Sequence, residues 1–152
     1  MSENNLQGRC LCGAVTVRAT AVDHPPVGHG LGACHCGMCR RWTSSTFIEV
    51  SAARTSVEAT GPVQTYKSSD WAERAFCGTC GSALWYLLTG EGMEAEPCQL
   101  SAGLFDNAAD RDLTLEVYID KKPAGYAFAG KRATMTEADI LKMVGDDPEA
   151  DA

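Results

Sequence analysis

The chain has 152 residues, 45% of them hydrophobic and 22% charged, with a net charge of -7 and a pI near 4.9. That length allows one domain with a real hydrophobic core and does not call for two. An acidic surface repels phosphate backbones, which argues against nucleic acid as a partner, and the longest apolar stretch, around residues 83–88, is far too short to span a membrane.

The start, MSENNLQGRC, is polar and lacks the apolar run of a signal peptide. This points to the cytoplasm and leaves residues 1–7 as an N-terminal tail. Residues 14–20 (AVTVRAT) alternate, so Val15 and Val17 share one face of a strand. Residues 24–32 (HPPVGHGLG) read as a loop on proline and glycine content. In the strand-like run 47–52 (FIEVSA), Phe47 faces away from Ile48 and Val50. Residues 63–67 follow the turn signal Gly61-Pro62, and residues 72–76 and 82–88 flank a CxxC like two arms of a hairpin. Residues 98–104 and 113–119 complete a β-rich set. One stretch reads as a helix. Thr136 caps it, Asp139 is the capping-box partner, Ile140, Leu141 and Val144 form its apolar face, and Gly145 offers a stop. The acidic tail DDPEADA is expected to fray.

The eight cysteines stand at positions 10, 12, 34, 36, 39, 77, 80 and 98. A reducing compartment disfavours disulfides, so cysteines at CxC and CxxC spacing read as metal ligands or redox pairs. Three clusters are evident: Cys10-Leu11-Cys12, Cys34-His35-Cys36-Gly37-Met38-Cys39, and Cys77-Gly78-Thr79-Cys80. Zinc takes four tetrahedral ligands in closed structural sites and keeps a position open in catalytic ones. Seven clustered cysteines divide into four plus three. Spacing permits two pairings. Either the first and third clusters close a four-thiolate site, or Cys36, Cys39, Cys77 and Cys80 form a zinc ribbon that leaves Cys10, Cys12 and Cys34 over. Seven thiols in this grouping exceed what a thiol-exchange pair needs.

The segments GRCLCGAV, CHCGMCRRW and FCGTCGSALW, in this order and at these gaps, resemble the glutathione-dependent formaldehyde-activating enzyme family, whose relatives include centromere protein V. The resemblance runs from about residue 8 to between 119 and 128. It implies an all-β, small zinc-binding β-sandwich or β-tent fold, like that of methionine sulfoxide reductase B and the Rab exchange chaperone, with the short helix at the C-terminal end. It implies a zinc-binding domain over residues 8–130; residues 131–152, which carry the short helix read above, form a C-terminal extension outside the resemblance. It also implies two Zn2+ per chain: a structural zinc at Cys10, Cys12, Cys77 and Cys80, and a second, open zinc at Cys34, Cys36 and Cys39. The implied activity is that of a carbon–sulfur lyase of the S-(hydroxymethyl)glutathione synthase type, with formaldehyde and glutathione, a small-molecule aldehyde and thiol, as its partners. Thiolate addition to an aldehyde suits an open zinc, which lowers a thiol's pKa or polarises a carbonyl. The alternative is a non-catalytic, zinc-stabilised binding module of the same fold. Association into a homo-oligomer is left open.

Around these ligands, His35 sits between two of them and is expected to point away from the metal, near enough to serve as a hydrogen-bonding or proton-transfer group. Arg40 and Arg41 follow the cluster; they suit a substrate carboxylate or an offset to thiolate charge. His24 and His29 belong to the preceding loop. Trp42, Trp71 and Trp85 read as core before stacking platforms, and Cys98 as a buried free thiol. Glu49, Asp70 and Glu73 are conceivable proton carriers that nothing in the sequence singles out.

Overall fold

The computed structural model describes residues 4–143. Its strands are β1 (Asn5–Arg9), β2 (Thr16–Thr20), β3 (Leu31–Cys34), β4 (Phe47–Ala52), β5 (Glu58–Thr60), β6 (Val63–Ser69), β7 (Ala72–Cys77), β8 (Ala83–Leu88), β9 (Cys98–Ser101), β10 (Leu113–Val117) and β11 (Ala133–Met135). Helix α1 spans Gly37–Thr43 and helix α2 spans Glu137–Met143. Strands β1, β2 and β5 form one sheet; the other eight form a second in the order β11-β10-β3-β4-β9-β8-β7-β6. Strand β10 runs parallel to both β3 and β11, and the other pairings are antiparallel. The protein is mainly β, with a short C-terminal helix, as the sequence leads one to expect. Among the described residues, no helix is long and apolar enough to cross a membrane.

Period-two alternation explains where the core sits. The small sheet buries Leu6, Val17 and Ala19, with Val15 at its entry. The large sheet answers with Val50, Ala52, Ala75, Leu84 and Leu100. Leu84 and Leu100 are fully buried, and each side chain of this kind contributes about 1.5–3 kcal/mol on removal from water. The two sheets touch directly where Ala21 bridges Ala52. Gly61 seats the β5–β6 turn against the loop after Cys12. A Cβ there would stand 1.9 Å from the Ala14 carbonyl oxygen, and its φ is +98°. No other residue type meets both demands.

The opposite face of the large sheet is polar. Cys34 pairs with Phe47; two residues on, Glu49 pairs with Ser101; and Ser51 pairs with Gln99. Gln99 pairs with Tyr86, which in turn pairs with Arg74. One face of four adjacent strands thus carries Glu49, Ser51, Gln99, Ser101, Tyr86 and Arg74 beside Cys34. Phe47 therefore faces away from Val50, as alternation requires, and belongs to a second apolar cluster with Cys34, Cys39 and Tyr118.

The structure differs from sequence expectation in several elements. Pairing begins at Asn5, inside the expected tail, because Leu6 is buried in the core. The loop expected up to residue 32 ends at β3, whose four residues are all buried. Helix α1 was not expected. Strands β5 and β11 are three-residue pieces too short to carry a pattern. The C-terminal helix has its capping box: Asp139 N–H donates to Thr136 Oγ1 at 3.2 Å, and Thr136 N–H donates to Asp139 Oδ2 at 2.8 Å. Ile140 packs on the second apolar cluster. Val144, Gly145 and the acidic tail lie outside the described residues.

Candidate metal centres

Cys10 and Cys12 lie in the turn between β1 and β2. Cys77 ends β7, and Cys80 lies in the turn to β8. Their four sulfurs lie within 4.8 Å of one another. Of the two pairings that spacing permits, this is the one the fold brings together. Backbone N–H groups converge on the sulfurs: Val15 on Cys10 at 3.3 Å, Ala14 on Cys12 at 3.5 Å, and Thr79 and Cys80 on Cys77 at 3.4 Å. The Ser82 hydroxyl, 3.2 Å from Cys80 Sγ, draws that thiol down to about 5. Such donors favour thiolates over thiols. The Cys10–Cys12 and Cys12–Cys77 sulfur distances are 3.7 and 3.9 Å. A regular tetrahedron with metal–sulfur bonds of about 2.3 Å has edges of about 3.8 Å, so the donor set fits a closed tetrathiolate metal site. All eight cysteines are free thiols.

Cys34, Cys36 and Cys39 form the second cluster, again within 4.8 Å of one another. Cys34 ends β3. Cys36 is the N-cap of α1, its sulfur accepting from Cys39 N–H at 3.4 Å. Ser44 closes the helix in left-handed conformation, and Arg40 and Arg41 occupy its last turn, where positive charge complements the helix dipole. Hydrogen bonds from Cys34 and then Cys39 draw the Cys36 thiol well down, whereas the same contacts push Cys34 up. Cys36 is the half-exposed member; the other two are buried. Three soft donors of this kind fit a metal held from one side.

His35 points the other way. It is fully buried, with Nδ1 3.0 Å from the Tyr126 hydroxyl and Nε2 2.8 Å from Glu116 Oε1. Arg132 donates to the other Glu116 oxygen at 2.8 Å. Arg40 Nε donates to the His35 carbonyl and Arg41 to that of Gly37, so both arginines brace the helix start. His24 and His29 each meet a carboxylate, Glu96 and Asp23 respectively. Trp85 packs on the main core, and Cys98 is buried in it, its thiol pushed up to about 12 by burial. Asp70 is exposed beside Lys67, and Glu73 faces the opposite side of β7 from Arg74. Glu49 alone of the three carboxylates lies on the site face. Burial, and then the Cys36 thiolate, push it up to about 8.

The family model for glutathione-dependent formaldehyde-activating enzyme matches residues 5–121. The chain belongs to this family. A protein of Schizosaccharomyces pombe named an uncharacterized lyase is 34% identical over 139 residues, which is 91% of this chain and 96% of that protein. A crystal structure of a Rhodobacter sphaeroides protein shares the fold, with a TM-score of 0.53 at 18% identity, covering 86% of this chain and all of the other.

In this family member, the residue that sequence reasoning missed is Arg74. Its side chain is buried between Trp42 and Tyr86, 4.7 and 4.8 Å from the ring centroids. Both terminal nitrogens approach Cys39 Sγ, at 3.8 and 3.9 Å, and Nε meets Ser68 Oγ at 3.3 Å. Arg74 stands between Glu73 and Ala75 in the hairpin arm 72–76, and a strand cation there carries no local signal of its own. Arg74 also lines a cavity of ≈ 860 Å³, together with Arg9, Cys10, Trp42, Tyr66 and Ser101. That groove runs from the four-cysteine cluster to the surroundings of the three-cysteine cluster.

Proposed function

We propose that the protein is a zinc-dependent carbon–sulfur lyase-type enzyme that forms or cleaves the adduct of formaldehyde with glutathione at the three-cysteine cluster. The observation that carries this reading is the division of seven clustered cysteines into a set of four and a set of three. Family membership supplies the reaction class. Cys10, Cys12, Cys77 and Cys80 would hold a structural zinc; Cys34, Cys36 and Cys39 would hold the second. When bound there, zinc supplies acidity to a thiol and polarisation to a carbonyl.

The chemistry is an addition across C=O. The carbon–sulfur bond forms, the carbonyl π bond breaks, and the proton of the S–H ends on the new hydroxyl oxygen. Atoms balance without an oxidant. The chain's task is to bind the thiol in the groove beside Arg74 and to carry that proton. Glu49, on the site face and with an affinity for protons near neutral pH, suits the second role. His35 is engaged behind the cluster and serves the position of the Cys34–Cys36 turn.

The test is metal content together with turnover. Exchange between free [13C]formaldehyde and its glutathione adduct, followed by NMR, should be faster with the enzyme than without it. Cys36→Ser protein should lose one of two zincs and the acceleration. Two firmly held zincs with no acceleration would leave the chain a zinc-stabilised binding module instead.

A further inference from the structure

Arg74 occupies an unusual position for a cation. Its guanidinium lies over two aromatic rings, with a hydroxyl on Nε, the Cys39 sulfur at its fork, and the groove beside it. An arginine buried to this extent needs a negative partner. The groups that face it are Cys39 and Trp42 from α1, Tyr86 from β8 and Ser68 from β6, with Glu49 of β4 acting on it electrostatically. The thiolates are therefore its principal counter-charge. Three thiolates on a divalent metal would leave one net negative charge, and a fourth, incoming thiolate would leave two. In a dry site that second charge is opposed by the first.

We propose that Arg74 is the positioning residue that lets this site accept an anionic thiol, its guanidinium holding Cys39 and offsetting the charge that the incoming thiolate adds. This rests on the metal reading of the three-cysteine cluster. The charge and the fork act separately. The charge sets affinity for an anion. The paired N–H···S contacts withdraw electron density from Cys39.

Cobalt(II) as the metal, 2-mercaptoethanol as a thiol without carboxylates, and imidazole as a neutral competitor separate these roles in the full chain at fixed pH. Arg74→Met should weaken thiolate binding at the second cobalt by at least about tenfold and leave imidazole affinity unchanged. Arg74→Lys should restore thiolate affinity to within about threefold, yet move the sulfur-to-cobalt absorption to lower energy, because the fork is gone. That spectral arm stands even if the Met variant fails to fold. Equal weakening of both ligands, no weakening of either, or a Lys variant no better than Met would overturn the role of Arg74 while the metal reading stands. Uptake of a single cobalt by the unaltered chain would overturn both.

Discussion

The sulfurs of Cys12 and Cys77 stand 3.9 Å apart although 65 positions separate them in the chain. One lies in the small sheet's first turn and the other at the end of a strand in the large sheet. A metal held between them ties the two sheets together at one end of the core. Such a tie contributes to folding outright, because the unfolded chain offers no preformed site. Cys77→Ser should therefore lower the melting temperature by roughly 10 °C or more, and a chelator should lower the unaltered protein's by a similar amount. Cys98→Ser, in the core and outside both clusters, should leave the chelator's effect intact. Calorimetry with and without chelator checks both, and an equal response of the two variants would sink the tie.

A second cost falls on the turn at Gly61. Its positive φ and its approach to the Ala14 carbonyl leave no room for a methyl group. Gly61→Ala should destabilise by about 1–3 kcal/mol, read as a shift in urea midpoint. Because Ala14 also donates its N–H to Cys12 Sγ, the same change should speed metal loss from the four-cysteine cluster. Gly92→Ala, where a Cβ meets nothing within 4 Å, shares the positive φ without the contact and should cost less.

Local patterns made much of this legible. CxC and CxxC spacings marked the candidate metal ligands, and alternation put Val15 with Val17 on one face and set Phe47 against Val50. Other features depend on partners far along the chain. Strand β3 is a strand because β4 and β10 flank it, which Gly32 and the glycine- and proline-rich run before it hide. Helix α1 is seven residues long and is capped by a cysteine sulfur, a cap that propensity rules do not rank. Arg74 reads as an ordinary strand cation until Trp42, 32 positions earlier by residue number, is found over it. The segment beyond residue 121 lies outside the family match, yet it supplies Tyr126 and Arg132 to the network behind His35.

That network predicts an acid-sensitive element. Glu116 is buried, which by itself raises its proton affinity, but hydrogen bonds from Arg132 and His35 outweigh burial and hold it below its ordinary 4.5. A carboxylate depressed in this way stabilises the fold fully above pH 4.5, and the contribution fades as pH falls below that value toward the folded pKa. Glu116→Ala should cost about 3–5 kcal/mol at pH 7, since Arg132 loses its carboxylate partner and His35 its acceptor. Tyr126→Phe, which removes the hydroxyl that meets His35 Nδ1, should cost about 1–3 kcal/mol. Urea unfolding at pH 7 and pH 3.5 tests the sign: the gap between the unaltered chain and Glu116→Gln should narrow in acid. A gap that widens would show that the pair is not held as a charged acceptor.

Glu49 carries the opposite sign. Burial, and then the Cys36 thiolate, raise its folded pKa to about 8 from 4.5. Between those values the folded chain keeps a proton that the unfolded chain releases, so stability falls as pH rises through that window and the penalty is complete above about 8. Glu49→Gln removes the ionisation. It should leave stability unchanged near pH 4.5 and raise the melting temperature of the variant above that of the unaltered chain at pH 9. Its effect on exchange catalysis should be the reverse of its effect on stability. If Glu49 takes the thiol proton, catalysis rises with pH toward 8 in the unaltered enzyme, and the Gln variant loses at least about tenfold together with that limb of the profile. Melting curves and the NMR exchange rate over the same pH series read both effects. A Gln variant that gains stability at pH 9 but keeps the full catalytic pH profile would leave Glu49 a buried carboxyl with no part in proton transfer.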